Sequence, residues 1–173
     1  MECRLRAANE TDCLEIRSMY ERIASIEGGL ARKKNEITSE YVRHFIIEST
    51  RSGITLVAID SSTGKIVGEI HCYSRMIEVF KHVLGELTIA VDPDCQGQGI
   101  GRLLFERLLD IVEQEKPEIE RVELIARESN VKAIKFYESL GFKVEGRFEK
   151  RIHNADGNYE ADIPMAWLRT GFH

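Results

Sequence analysis

The feature that most constrains the fold is the stretch Leu87–Leu109, which joins an apolar run, a glycine-containing loop and a helical pattern without a gap. The run Leu87–Val91 contains isoleucine and valine and predicts a buried strand. Pro93 should end that strand, because proline has no N–H to give to a sheet ladder. From Ile100 onward, apolar residues recur at helical spacing. The sequence therefore predicts a strand, a short loop and a helix in direct succession.

The loop carries Gly97, Gly99 and Gly101 at alternate positions where the helix begins. The first N–H groups of a helix have no partner inside it, and the helix dipole is positive there, so the loop predicts an anion site. A nucleoside-triphosphate loop needs lysine and then serine or threonine after the last glycine, but Arg102 and Leu103 follow here. A dinucleotide loop reads G-x-G-x-x-G, one residue longer than the spacing found here.

The pattern that remains, Gln96-x-x-Gly99-x-Gly101, resembles the acyl-CoA pyrophosphate loop of the GNAT family of N-acetyltransferases. A second motif, within Glu128–Phe142, is similar to the N-x-x-A-x-x-F-Y-x-x-x-G-F segment of that family. Its matching positions are Asn130, Ala133, Phe136, Tyr137, Gly141 and Phe142. The two motifs stand in the family's order, and the resemblance extends over most of the chain, most weakly over the first half. The bacterial members that act on small molecules and amino acids are the nearest in type.

The order of strand and helix patterns predicts an α/β (α+β) fold with residues 1–173 as a single domain. We expect a mixed, mostly antiparallel central sheet of about seven strands with helices on both faces. The first helix should end around Glu27, and the last hairpin should pair Phe142–Arg151 with Tyr159–Leu168. The resemblance further implies that Arg121–Ala126 runs parallel to the strand before the loop, and that this pair splays apart at the cofactor site.

The resemblance implies acetyl-CoA as the co-substrate. The main chain of Ile89 and Val91 would pair with the pantetheine arm like an added strand, and the N–H groups of residues 96–102 would hold the pyrophosphate. Asn130 would hold an amide of the same arm. The implied cofactor-binding residues are Ile89, Ala90, Val91, Gln96, Gly97, Gln98, Gly99, Ile100, Gly101, Arg102, Asn130, Ala133, Phe136 and Tyr137.

Acetyl transfer to an amine requires the neutral amine, whereas a lysine-like amine has a pKa of about 10.4 and an α-amine about 8. Glu86, at the head of the strand, is the candidate base, and Glu69 on the preceding strand or a chain of waters is the alternative. The family resemblance implies that a main-chain N–H near Ile89 stabilises the oxyanion. Tyr137 is the candidate acid for the departing thiolate, on the same predicted helix face as Asn130.

Bulk properties narrow the function classes. The net charge of −5, without a basic block, disfavours a nucleic-acid partner. No apolar run approaches the roughly 20 residues of a membrane span, and neither an export signal nor a metal-binding spacing is evident. We therefore expect a cytoplasmic enzyme without a metal that acetylates a small-molecule primary amine, such as an amino acid, a polyamine or an amine antibiotic. A protein α-amine acetyltransferase and a CoA-binding sensor are the alternatives, and the family resemblance also implies a possible homodimer.

Overall fold

The computed structural model describes residues 2–26 and 28–170, so Glu27, at the predicted end of the first helix, lies outside it. Within the described residues, one sheet contains eight strands. The strands are β1 (Cys3–Ala7), β2 (Gly53–Asp60), β3 (Ile66–Tyr73), β4 (Val83–Val91), β5 (Arg121–Arg127), β6 (Lys143–Val144), β7 (Phe148–His153) and β8 (Tyr159–Leu168). The helices are α1 (Cys13–Ala24), α2 (Ser39–Ser52), α3 (Ile100–Glu115) and α4 (Val131–Ser139).

The strand order is β1-β2-β3-β4-β5-β8-β6, and β7 also pairs with β8. Strands β4 and β5 are parallel, and the other pairs are antiparallel. Helix α3 lies between β4 and β5 in the chain and supplies the long crossover that parallel neighbours need. The predicted mixed, mostly antiparallel sheet with one parallel pair is confirmed.

The predicted strand Phe142–Arg151 is divided in two, which brings the count to eight among the described residues. Strand β6 ends where Val144 pairs with Met165, and β7 begins where Phe148 pairs with Asp162. Three residues of this strand therefore face two of β8 between the two pairings. Pro164 lies in that interval and has no N–H for the ladder, which explains why regular pairing stops there.

The two faces of the sheet carry separate apolar cores. Helix α3 packs on one face, where Leu104, Phe105 and Leu108 meet β5 residues such as Leu124. Helices α1 and α2 pack on the opposite face and cover the other side of β2 and β3. Because strand side chains alternate between faces, β5 presents Val122, Leu124 and Ala126 to α3 and its intervening residues to the other side. The prediction of helices on both faces is confirmed.

Candidate active site

Strands β4 and β5 separate soon after they meet. In the described part of the chain they pair only at Val83 with Arg121 and at Leu84 with Val122. A cavity of about 450 Å³ opens beyond this point. Its lining comes from residues 83 and 85–88 of β4, residues 123–125 and 127 of β5, Asp162 of β8, and Ala31, Arg75 and Phe80 from two connecting segments. The parallel pair is therefore splayed, as the resemblance implied.

Glu86 lies in this cavity at an irregularity of β4. From His71 to Tyr73, β3 advances two residues, whereas the paired positions on β4, Thr88 and Gly85, are three residues apart. Glu86 has a backbone φ of 53°, an uncommon left-handed conformation for a residue other than glycine. Such a bulge turns a side chain away from the regular alternation of the strand. The half-exposed carboxylate of Glu86 faces the cavity, with Oε1 3.3 Å from Nη2 of Arg75.

Glu69, the alternative base, has a fully buried side chain that does not line this cavity. The Tyr20 hydroxyl donates a hydrogen bond to it, and burial is the main cause that raises the pKa of this tyrosine. Nδ1 of His71 lies 3.1 Å from Glu69, and Thr55 donates a longer bond of 3.4 Å. The structure thus surrounds Glu69 with polar partners within the protein, whereas it leaves Glu86 facing open space.

One edge of β4 is free along the cleft. The Asp92 N–H donates to the Val67 carbonyl of β3 at 2.9 Å, and main-chain groups alternate between the two edges of a strand. The main chain of Leu87, Ile89 and Val91 therefore points away from β3, toward the gap before β5. Consistent with this direction, the Val91 carbonyl accepts a hydrogen bond from a neighbouring side-chain amide, at 3.3 Å. The gap is bordered by peptide groups without a strand to pair with.

The loop after β4 presents a row of unbonded N–H groups. Among the described residues, none accepts a hydrogen bond from the main-chain N–H groups of residues 96–102. Gly97 and Gly99 have φ values of 76° and 83°, and a Cβ at either position would meet nothing within 4 Å. These two glycines allow the left-handed turns that point successive N–H groups outward at the start of α3. The residues present fit a diphosphate group.

Two other glycines near α3 have different roles. A Cβ on Gly101 would make ordinary contacts of 3.7–3.8 Å with Ile89 and Val91, so packing leaves room for alanine there. Sequence reasoning missed Gly68 of β3, where a Cβ would lie 2.9 Å from Ile100. Gly68 lets the first turn of α3 approach the sheet. A glycine inside a predicted strand was the available signal.

The side chain of Arg102 joins the first turn of α3 to α4. Its Nη2 donates to Oγ of Ser139 at 2.9 Å, and its guanidinium lies 5.4 Å from the ring centre of Phe136. Glu106 lies within 3.4 Å of the same group. The arginine therefore has protein partners near the anion site and is held at its rim.

Helix α4 carries the second motif and begins one residue later than predicted. Asn130 is its N-cap, and Oδ1 accepts a hydrogen bond from the N–H of Ala133 at 3.1 Å. This use of Oδ1 leaves the side-chain NH₂ available for a ligand carbonyl. Asn130 therefore caps the helix, two turns before Tyr137.

Tyr137 belongs to an aromatic cluster between α3 and α4. Its ring centre lies 5.4 Å from that of Phe105 and 5.6 Å from that of Phe136. Burial raises the pKa of its phenol to about 12, so the hydroxyl stays protonated at neutral pH. Within residues 2–26 and 28–170 this hydroxyl donates no hydrogen bond. The structure does not place Tyr137 in the lining of the cavity that contains Glu86.

Sequence reasoning also missed the charged floor of the cavity. Glu123 and Arg127 of β5 and Asp162 of β8 line it, on the side of the sheet opposite α3. For the two β5 residues, the available sequence signal was the charge at alternate positions of the strand, between the buried residues. Among the described side chains, no group of three or more His, Cys, Asp or Glu is placed to hold a metal ion. None of the described helices is long and apolar enough to cross a membrane.

Comparisons with known proteins agree with this geometry. The [ribosomal protein bS18]-alanine N-acetyltransferase of Escherichia coli (strain K12) is 45% identical over 84 residues, which cover 47% of this chain and 55% of that relative. The chain thus spans about half the length of the curated relatives it matches first.

Solved structures share the fold over nearly the whole chain. An acetyltransferase of the GNAT family from Streptococcus pneumoniae matches with a TM-score of 0.86 and 24% identity, over 97% of this chain and 100% of that one. The yncA protein from Salmonella typhimurium, solved with its cofactor acetyl-CoA, gives 0.85 and 19% identity, over 100% and 97% of the two chains. At these identities the likeness shows the fold alone. The family model described as "Acetyltransferase (GNAT) family" matches residues 15–142, most of the sequence, and this chain therefore belongs to that family.

Proposed function

We propose that this enzyme transfers the acetyl group of acetyl-CoA to a primary amine by direct attack in a ternary complex. One observation carries the proposal: the free edge of β4 leads directly to the row of unbonded N–H groups at residues 96–102. An extended thioester arm that ends in a diphosphate would satisfy both sets of groups. When bound, acetyl-CoA supplies the acetyl group as a thioester.

The residues of the acetyl-donor site act through position and charge. The N–H groups of residues 96–102 and the positive end of the α3 dipole bind the diphosphate. The outward peptide groups of Ile89 and Val91 pair with the amides of the arm. The side-chain NH₂ of Asn130 and the helix α4 residues Ala133 and Phe136 border the same route.

The reaction requires protons to leave the acceptor nitrogen and a proton to reach the departing sulfur. Glu86 accepts a proton from the acceptor ammonium, directly or through water, because only the neutral amine has a lone pair for attack. As the nitrogen bonds to the thioester carbon, a main-chain N–H near Ile89 stabilises the negative charge on its oxygen. The carbon–sulfur bond then breaks, and the departing sulfur takes a proton from the Tyr137 hydroxyl. The acetylated nitrogen loses its remaining extra proton, and this proton restores the phenol, directly or through water. The high pKa of this phenol keeps the proton available at neutral pH.

A small molecule is the first candidate acceptor. The cavity beside Glu86 has a volume of about 450 Å³, within the range of sites for small ligands. Ala31 of the α1–α2 connection and Phe80 of the β3–β4 connection border it. Both connections therefore contribute to the proposed acceptor pocket. An amino acid, a polyamine or an amine antibiotic fits this description.

The α-amine of a protein is the second candidate. The observation that favours it is the similarity to the Escherichia coli relative, which is named as an N-acetyltransferase of alanine in ribosomal protein bS18. The match covers only 55% of that relative.

Release of free CoA thiol measures the reaction directly. We would incubate the protein with acetyl-CoA and a panel of amino acids, polyamines, aminoglycosides and short peptides with N-terminal alanine. Amine-dependent thiol release supports the proposed function, and its distribution across the panel separates the two acceptor classes. Acetyl-CoA binding without release on any amine would refute the enzyme and favour a sensor.

A further inference from the structure

Asp162 is a carboxylate in the cavity that the proposed chemistry does not use. It lies on β8 directly opposite Arg127 of β5, and both side chains are on the sheet face away from α3. Only 17% of the Asp162 side chain is exposed. It reaches the same cavity as Glu86 from the other wall.

The protein leaves this carboxylate without a hydrogen-bond partner in the described residues. Arg127, its cross-strand neighbour, instead donates from Nη1 to Asn154 at 3.0 Å and to Glu160 at 3.3 Å. Arg151 comes no closer than 4.0 Å to Asp162, beyond hydrogen-bond distance, and its side chain is half exposed. Burial raises the pKa of Asp162, and the two arginines offset only part of this.

The other carboxylates of the cavity have partners. Glu123 accepts a hydrogen bond from Arg121 at 2.6 Å, and Glu86 lies 3.3 Å from Arg75. Asp162 has only a long ion pair of 4.0 Å with the half-exposed Arg151, so a cation that enters the cavity would give it a closer partner. Asp162 therefore stands apart from the other acidic groups of the site.

The spacing of the two walls defines which cation could reach Asp162. Strands β4 and β5 are in register at Leu84 and Val122, so Glu86 is level with residue 124 of β5. Arg127 lies three residues further, a rise of about 10 Å, and Asp162 is opposite it on the next strand. The two carboxylates therefore stand apart along the length of the cavity, on opposite walls.

We propose that Asp162 determines acceptor specificity by binding a second cationic group of the acceptor, about 10 Å from the amine that is acetylated. The inference rests on the proposed function and names its substrate class: amines that carry a second positive charge at the far end of an extended chain. Asp162 is a binding residue in this scheme and takes no part in proton transfer.

Three acceptors of equal length test the proposal. In 1,8-diaminooctane, 8-aminooctan-1-ol and 8-aminooctanoate, the group opposite the reacting amine is positive, neutral or negative, and the two ends lie about 11 Å apart. For the unmodified enzyme we expect KM to rise in that order, by about tenfold from the diamine to the alcohol, with similar kcat. In Asp162→Asn the three KM values should converge. The matched control, Asp110→Asn, makes the same change on the exposed surface of α3 and should keep the order.

A structural role for Asp162 would raise all three KM values together, and that result would overturn the inference, as would equal KM values in the unmodified enzyme. If no amine is acetylated, the proposed function fails, and calorimetric binding of the same three compounds to the CoA-saturated protein still tests Asp162. Tighter binding of the diamine that Asp162→Asn abolishes would support the second-cation site. Equal binding of the three compounds would refute it. Thermal melting of each variant checks that it is folded.

Discussion

Replacing Gly99 by aspartate would place a carboxylate where the diphosphate should bind. A Cβ on Gly99 would meet nothing within 4 Å, so the substitution adds no steric clash with the protein itself. The chain offers a matched control at Gly64, on the turn between β2 and β3. Gly64 has a φ of 72°, close to the 83° of Gly99, and a Cβ there also meets nothing within 4 Å. The two variants therefore carry similar backbone strain, but only one adds charge at the anion site.

The expected changes in stability and in acetyl-CoA affinity follow from the surroundings of Gly99 and Gly64. A residue other than glycine in the left-handed region costs about 1 kcal/mol, which lowers the melting temperature of a chain of this size by about 2–4 °C in both variants. Two like charges about 5 Å apart repel by about 1–3 kcal/mol at effective dielectric constants between those of water and a protein surface. We therefore expect Gly99→Asp to raise the Kd for acetyl-CoA by about 5- to 150-fold. Gly64→Asp should leave that Kd unchanged.

Calorimetric titration with acetyl-CoA measures the Kd of both variants. A third variant separates the effect of the added charge from that of the added side chain. Gly99→Asn has nearly the shape of the aspartate variant without its charge, and asparagine tolerates the left-handed region well. Its Kd should lie well below that of Gly99→Asp, and the difference should shrink at high salt because ions screen exposed charges. The reasoning fails if Gly99→Asp binds acetyl-CoA normally, or if Gly64→Asp weakens binding by a comparable factor.

Three further variants test the assigned chemistry. Tyr137→Phe should lower kcat by about 100-fold with acetyl-CoA affinity nearly unchanged. The unmodified enzyme should stay active at pH 10, because the pKa of Tyr137 is about 12. Full activity of the variant would show that Tyr137 serves only in packing. Glu86→Gln should lower kcat/KM by about 100-fold at pH 7. The difference from the unmodified enzyme should narrow at higher pH, because the amine then loses its proton to solvent. A difference in kcat/KM that does not change with pH would argue against Glu86 as the base. Glu69→Gln should cost about 1–3 kcal/mol of stability in urea unfolding and leave the pH dependence of kcat/KM unchanged, and a shifted profile would restore Glu69 as a candidate base.

The local sequence was sufficient to predict those features of the fold that a few consecutive residues determine. The end of β4 near Pro93, the positive φ at Gly97 and Gly99, and the start of α3 at Ile100 all follow from the conformational limits of the residues present.

Features that depend on distant pairing could not be read from the sequence with the same precision. The bulge at Glu86 is an irregularity in the pairing of β4 with β3, and no residue in the strand predicted it. The full burial of Glu69 depends on Tyr20 of α1 and His71, which meet it only in the folded chain. The strand Phe142–Arg151 was predicted as continuous because its break depends on Pro164 of its partner.

The position of β4 in the sheet accounts for the proposed location of the acetyl-CoA site. On one edge the strand pairs with β3 from Gly85 to Val91, but on the other it is paired with β5 only at Val83 and Leu84. A free strand edge inside a domain leaves peptide groups that water or a ligand must satisfy. The left-handed residues stand at the two ends of this free segment, with Glu86 at its start and Gly97 and Gly99 beyond its end. Because one continuous segment thus joins the proposed base to the proposed anion site, a single extended thioester would satisfy the edge, bind through its diphosphate and present its acyl carbon beside the carboxylate.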